Sequence, residues 1–147
     1  MTSSRIYNDQ FEQLRACVII PVYNNEASIL AVINDVHQYS DHIIVVNDGS
    51  TDNTINIVQS ISNVQLLSYE KNRGKGWALR KAFAYAVEKG YHYAITIDAD
   101  GQHFAKDLPV FIEKLLFEKN AIIIGARNMD QESVPGGSSF GNRFSNF

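Results

Sequence analysis

The sequence predicts an α/β protein with a doubly wound, mainly parallel sheet and helices on both faces. Three observations carry this expectation. Short β-branched runs alternate with segments of helical period along most of the chain. The runs are continuously apolar, the mark of strands buried on both sides in a parallel sheet. The unusual polar residues follow the ends of these runs, where ligands bind in such sheets. Right-handed crossovers between parallel strands then give the doubly wound topology.

The elements follow in order. "ACVII" (Ala16 to Ile20), closed by Pro21, reads as the first strand. Asn25 to Gln38 carries Ile29, Val32, Ile33 and Val36 at helical spacing. "HIIVVN" (His42 to Asn47) is a second strand, and "STDNT" (Ser50 to Thr54) offers capping side chains to a helix bearing Ile55, Val58 and Ile61. "VQLLSY" (Val64 to Tyr69) is the third strand. Gly76 to Lys89 is a helix with Leu79, Phe83, Ala86 and Val87 on one face, stopped by Gly90. "YAITI" (Tyr93 to Ile97) is the fourth strand, Lys106 to Lys119 a further amphipathic helix, and "AIIIGA" (Ala121 to Ala126) a fifth strand.

Composition sets the outer bounds. With 147 residues, the chain is long enough for one domain with a sizeable core. A polar segment, 1–15, precedes the expected domain at 16–132, and 133–147 is a Gly/Ser-rich loop. The abrupt end suggests that a C-terminal part is missing. The net charge of -3 provides no global basic field, so nucleic acid is not an expected partner. Cys17, the single cysteine, rules out an internal disulfide, fits a reducing compartment and reads as core. There is no signal-peptide pattern and no run of membrane-span length.

The chemistry sits in the strand-end motifs. In "IDADGQ", Asp98 and Asp100 are two apart on an extended segment, so they would share a face and could meet one cation or ligand. Oxygen donors of this kind suit Mg2+ or Mn2+, with waters and a phosphate completing the shell, and Gln102 would add a neutral oxygen. The plainer alternative is a turn capped by its own aspartates. "VVNDGSTDNT" places Asp48 at another strand end, able to accept donors from a base or sugar, or to cap the next helix. "PVYNNE" supplies Tyr23, whose ring could stack on a base or sit half-buried in the core, and Glu26. "KNRGKG" puts three cations, Lys75 among them, beside glycines ahead of a helix N-terminus. That is good ground for phosphate, though it is not a Walker loop, and a solvated charge run is the plainer alternative.

The series PVYNNE, VVNDGSTD, NRGKGWALR, IDADGQ, GAR resembles the family 2 glycosyltransferases of GT-A fold, whose sheet is a Rossmann-like nucleotide-binding half. Within that family it is most similar to the polyprenyl-phosphate sugar transferases of the dolichyl-phosphate mannosyltransferase type. The resemblance implies that Pro21, Tyr23 and Glu26 hold the nucleoside, with Val46 and Asp48 as a second contact region. It implies that Asp98, Ala99 and Asp100 bind the sugar nucleotide, that Asp100 and Gln102 ligate the metal, and that Arg127 and Arg143 face the diphosphate or donor sugar. Asn47 stands where the usual "DDGS" has an aspartate, and Glu26 lies one place later than in many relatives.

The expected reaction moves a sugar from a UDP- or GDP-linked donor to an acceptor, a polyprenyl phosphate, with inversion. Asp100 and Arg127 are the expected catalytic residues. Relatives imply a cytoplasmic chain at the cytoplasmic face of a membrane, associated with it through the missing C-terminal part. Two other readings stand beside this one. A truncated chain could bind sugar nucleotides without turnover. "DADGQ" also nearly matches the phosphatase motif DxDG[TV], but that motif belongs on a first strand and Gln102 replaces its Thr or Val.

Overall fold

A computed structural model describes residues 3–118 and 120–125. Four strands, β1 (Ala16–Val22), β2 (Ile43–Asp48), β3 (Val64–Tyr69) and β4 (Tyr93–Thr96), form one sheet in the order β3-β2-β1-β4. Every pairing is parallel, with Val18 beside Ile43, Ile43 beside Val64, and Ala16 beside Tyr93. The helices are α1 (Ser3–Leu14), α2 (Ile29–His37), α3 (Thr54–Gln59), α4 (Lys75–Glu88) and α5 (Leu108–Phe117), the last entered through a 3₁₀ turn at Ala105–Asp107.

All seven residues of β1 and all six of β2 are buried, as continuous apolar runs require. Alternate side chains serve opposite faces. Val18, Ile20, Ile43 and Val45 pack in one cluster with Phe11, Ile29, Ile33, Val58, Leu108 and Ile112, contributed by α1, α2, α3 and α5. Cys17, Ile19, Ile44 and Val46 pack in the other, against Ala78, Ala82 and Ala86 of α4. The sheet is thus covered on both faces, as expected.

Three expectations need correction. The polar segment 1–15 carries helix α1, because Phe11, wholly buried against the core, gives it an apolar anchor that its composition conceals. On α4 the buried stripe is Ala78, Ala82 and Ala86, while Phe83 and Val87 are 42% and 73% exposed. Three alanines let the helix lie close on the sheet, and that geometry overrides the bulkier stripe. Residues 121–125 form no strand. Ile123 packs against the core, and Ile122 and Ile124 are 93% and 84% exposed. Strand propensity is present, but no edge pairs with it among the described residues. One expectation about the site holds: β4 stops at Thr96, yet the alternation runs on to the turn at 99–100, with Ile95, Ile97 and Ala99 in one core cluster and Thr96, Asp98 and Asp100 on the outer side.

Burial pushes the Cys17 thiol up to about 12, its cause being desolvation. At about pH 8 only about one thiol in ten thousand would be ionised. Native protein is expected to resist a thiol-reactive dye and to label at the rate of global unfolding. Fast labelling without denaturant would contradict this burial.

Candidate active site

Four loops meet at the C-terminal edge of the sheet, and side chains that cap backbone amides hold them together. The β1–α2 loop is clasped to the β2–α3 loop. Asn24 Oδ1 accepts from the Thr51 amide at 2.8 Å, and Ser50 Oγ from the Asn24 amide at 3.0 Å. Thr54 Oγ1 accepts from the Asn25 amide at 3.0 Å. Glu26 and Asp52 complete the clasp reciprocally. A Glu26 carboxylate oxygen accepts from the Asn53 amide at 2.8 Å, while Asp52 accepts from the amides of Glu26 (3.2 Å) and Thr54 (3.0 Å). Short polar side chains favour such loop bonds over helix interiors, so the "STDNT" run caps across loops as well as along its own helix.

Desolvation nudges the Asp52 carboxyl upward, but hydrogen bonds from the Thr54 hydroxyl and amide and from the amides of Glu26 and Asp52 itself outweigh it. The net effect holds its pKa below the ordinary value. A carboxyl depressed in the folded state adds stability above its ordinary pKa and loses it as pH falls through the lowered value. The urea midpoint is expected to fall between about pH 6 and about pH 3, and to fall less in Asp52→Asn. Equal falls in the two proteins would show that the clasp carries no such linkage.

Asp48 ends β2 and is 3% exposed. A carboxylate so buried needs donors, and it finds them in the β3–α4 loop. The Gly74 amide donates to Oδ2 at 2.7 Å, and the Arg73 amide to Oδ1 and Oδ2 at 3.0 and 3.2 Å. Gly49, at φ +74°, packs backbone to backbone against the same loop. A Cβ there would lie 2.5 Å from the Asn72 nitrogen and 2.6 Å from the Lys71 carbonyl carbon.

That loop delivers Lys75, the first residue of α4, whose Nζ lies 2.5 Å from Asp98 Oδ1. Asp98 also faces His103 Nδ1 at 3.7 Å. Lys75 remains 59% exposed, so its charge is open to a ligand. Arg73, another cation of "KNRGKG", is engaged elsewhere. The Arg73 guanidinium lies over the Trp77 ring at 5.0 Å, and Trp77 meets Tyr69 edge-on at 4.5 Å.

Asp100 is exposed, and its Oδ1 accepts from the Gln102 amide at 2.9 Å. Ala99 is buried, and its carbonyl accepts from Ser28 Oγ at 2.5 Å, tying the 97–102 loop to α2. Tyr23 is 46% exposed at the end of β1, so its ring is open for stacking. Pro21 is buried beside Val46 in the β1–β2 ladder, and the Val46 side chain belongs to the core under α4. Arg127 and Arg143 lie outside the described residues.

The structure therefore brings Tyr23, Glu26, Asp48, Lys75, Asp98, Asp100 and Gln102 to one edge, while giving Asp98 and Asp100 different partners. Sequence reasoning missed Asn24, Ser28, Asp52 and Thr54 as the side chains that hold the loops. Among the described residues no cluster of three or more His, Cys, Asp or Glu side chains is placed to hold a metal. The donors do fit an ion brought in by a ligand. A hard divalent cation needs only one or two protein oxygens when phosphates and waters fill the rest of its shell, and Asp100 and Gln102 offer such oxygens.

Comparison with known proteins bears on the family and the fold. The model of the family "Glycosyl transferase family 2" matches residues 17–138. An uncharacterised protein of Methanocaldococcus jannaschii is 40% identical over 116 residues, covering 74% of this chain and 50% of that protein. The UDP-N-acetylglucosamine–dolichyl-phosphate N-acetylglucosaminyltransferase of Methanococcus voltae is 32% identical over 127 residues, covering 75% of this chain and 51% of that protein. Among solved structures, glucosyl-3-phosphoglycerate synthase from Mycobacterium tuberculosis, in complex with Mn2+, UDP and glucosyl-3-phosphoglycerate, superposes with a TM-score of 0.62 at 25% identity. That match covers 77% of this chain and 43% of the other. The chain spans about half the length of the curated relatives it matches.

Proposed function

The chain belongs to glycosyl transferase family 2 and has the GT-A fold, and on that premise we propose that it binds a nucleoside-diphosphate sugar at the described edge and transfers the sugar to a polyprenyl phosphate. The observation that carries this reading is the Lys75–Asp98 pair at the carboxyl end of a parallel sheet, with Asp100 two residues on and the exposed Tyr23 at the end of the neighbouring strand β1. The similarity to a dolichyl-phosphate N-acetylglucosaminyltransferase and to a polyprenol monophosphomannose synthase supports a lipid-phosphate acceptor.

In this reading Tyr23 stacks on the base, and the backbone about Pro21 and Val46 lines the nucleoside. Glu26 and Asp48 shape the loops around it, and Lys75 offers its ammonium to the diphosphate. Asp98 and the turn at Ala99 flank the donor. Asp100 and Gln102 would hold a Mg2+ or Mn2+ ion, which would supply neutralising charge to the leaving diphosphate. The acceptor oxygen attacks the anomeric carbon in line as the bond to the diphosphate oxygen breaks, releasing the nucleoside diphosphate with inversion. A phosphate acceptor is already anionic and needs little help from a general base, so placement and charge do the work. Arg127 and Arg143 are proposed as further diphosphate contacts.

No helix among the described residues is long and apolar enough to cross a membrane. A place at the cytoplasmic face of a membrane is proposed from the acceptor's chemistry. Calorimetric titration with UDP and with GDP, in Mn2+ and again in EDTA, tests the reading. One nucleotide is expected to bind and to lose most of its affinity in EDTA. Binding unaffected by EDTA would remove the metal role of Asp100 and Gln102, and no binding by folded protein would remove the donor site.

A further inference from the structure

We propose that Asp48 is a positioning residue whose carboxylate, with the Gly49 backbone beside it, fixes the loop 71–74 and thereby places the Lys75 ammonium at Asp98. The consequence for donor binding rests on the reading of Lys75 given above, while the placement itself does not.

Three observations converge. Both oxygens of the buried Asp48 carboxylate are taken by the amides of Arg73 and Gly74, at 2.7–3.2 Å. Gly74 is the N-cap of α4 and Lys75 its first residue, so these bonds set where the helix starts. The loop also sits so close to Gly49 that no Cβ fits between them. Its other ties are local: Asn72 Oδ1 accepts from the Gly74 amide at 3.1 Å, and Arg73 lies on Trp77. A four-carbon lysine stem can reach many places. What fixes its base is therefore what decides whether its charge meets Asp98. The resemblance implies that Asp48 contacts the nucleoside, whereas its bonds here give it a structural partner inside the chain.

Amide hydrogen exchange and nucleotide titration together test this. In the wild type the Arg73 and Gly74 amides should exchange slowly although their loop is largely exposed, and unprotected exchange at both would overturn the proposal without any variant. In Asp48→Asn, with circular dichroism unchanged, both amides should exchange faster by about tenfold or more, the weight of a charged hydrogen bond, while the β1 and β2 amides stay protected. UDP or GDP affinity should fall by the same factor as in Lys75→Ala, and the double variant should be no weaker than the weaker single one. A double variant that loses the product of both factors would mean a separate contact by Asp48 and would overturn the proposal. If Lys75→Ala leaves affinity unchanged, the diphosphate role of Lys75 fails, and the exchange rates alone decide the positioning.

Discussion

Replacing Gly49 with alanine is expected to lower stability by about 3–5 kcal/mol, the largest effect we foresee for a single added methyl group. Two costs combine. At φ +74° an L side chain meets the carbonyl that follows it, a cost of roughly 1–2 kcal/mol. The new Cβ would also stand 2.5 Å from a backbone nitrogen and 2.6 Å from a backbone carbonyl carbon, atoms that cannot rotate away as a side-chain tip does. Moving the 71–74 loop to relieve that overlap strains the Asp48 bonds, so the overpacking cost falls at the upper end of roughly 1–3 kcal/mol. Gly101 makes a control within the same protein. Its φ of +76° is nearly the same, yet a methyl group there would meet nothing within 4 Å, so Gly101→Ala should cost only the backbone part. Denaturant midpoints of the two variants check the difference. Equal losses would mean that the loop yields freely and that close approach carries no weight.

The second large effect belongs to Asp100. Asp100→Ala is expected to reduce sugar transfer by about two to three orders of magnitude, the usual loss when one electrostatic contributor to a developing charge is removed. Nucleotide affinity should lose its dependence on the divalent ion. The fold should be untouched, because Asp100 is exposed and its one described bond is local, to the Gln102 amide. Asp98→Ala is a different experiment. It frees Lys75 from a 2.5 Å contact, so a nucleoside diphosphate should keep its ion dependence and lose affinity through the misplaced lysine. Transfer assays and titrations with and without EDTA separate the two variants. An Asp100→Ala protein that still responds to the ion in full would move the metal role elsewhere in the chain.

Most of the sheet was legible in the residues because parallel strands are written as unbroken apolar runs. The third strand, Val64–Tyr69, has the bounds its sequence implies. Where the reading failed, tertiary packing had overridden local pattern. Helix α1 hides behind a polar composition and depends on Phe11 reaching a core built by other elements. Phe83 and Val87 outrank alanine on any hydrophobicity scale, yet Ala78, Ala82 and Ala86 face the sheet because small residues permit close approach. The apolar run 121–125 has strand-forming residues but no paired edge among the described residues. The candidate site was legible as a position, since polar groups after buried strands must sit at one rim. Its wiring was not. Nothing in "PVYNNE" reveals that the Glu26 carboxylate meets the Asn53 amide, nor does "NDGS" reveal that Asp48 meets Gly74. Such bonds join segments about 26 residues apart, and no local spacing encodes them.

The strand order has a consequence for how the chain assembles. β1 leaves room beside it that only β4 fills, and the Ala16–Tyr93 pairing closes a loop spanning three helix-bearing crossovers and two other strands. Closing loops is entropically costly, and distant pairings form late. During synthesis β1 and β2 can dock as soon as α2 and β2 have emerged, whereas the other side of β1 must wait until residue 96 is free. Throughout that interval Ala16, Cys17, Val18 and Ile19 present a bare apolar edge able to recruit a second nascent chain. The centre of the finished sheet is therefore the most exposed part of the unfinished one, and slow translation between β3 and β4 should raise aggregation more than the same pause placed after β4.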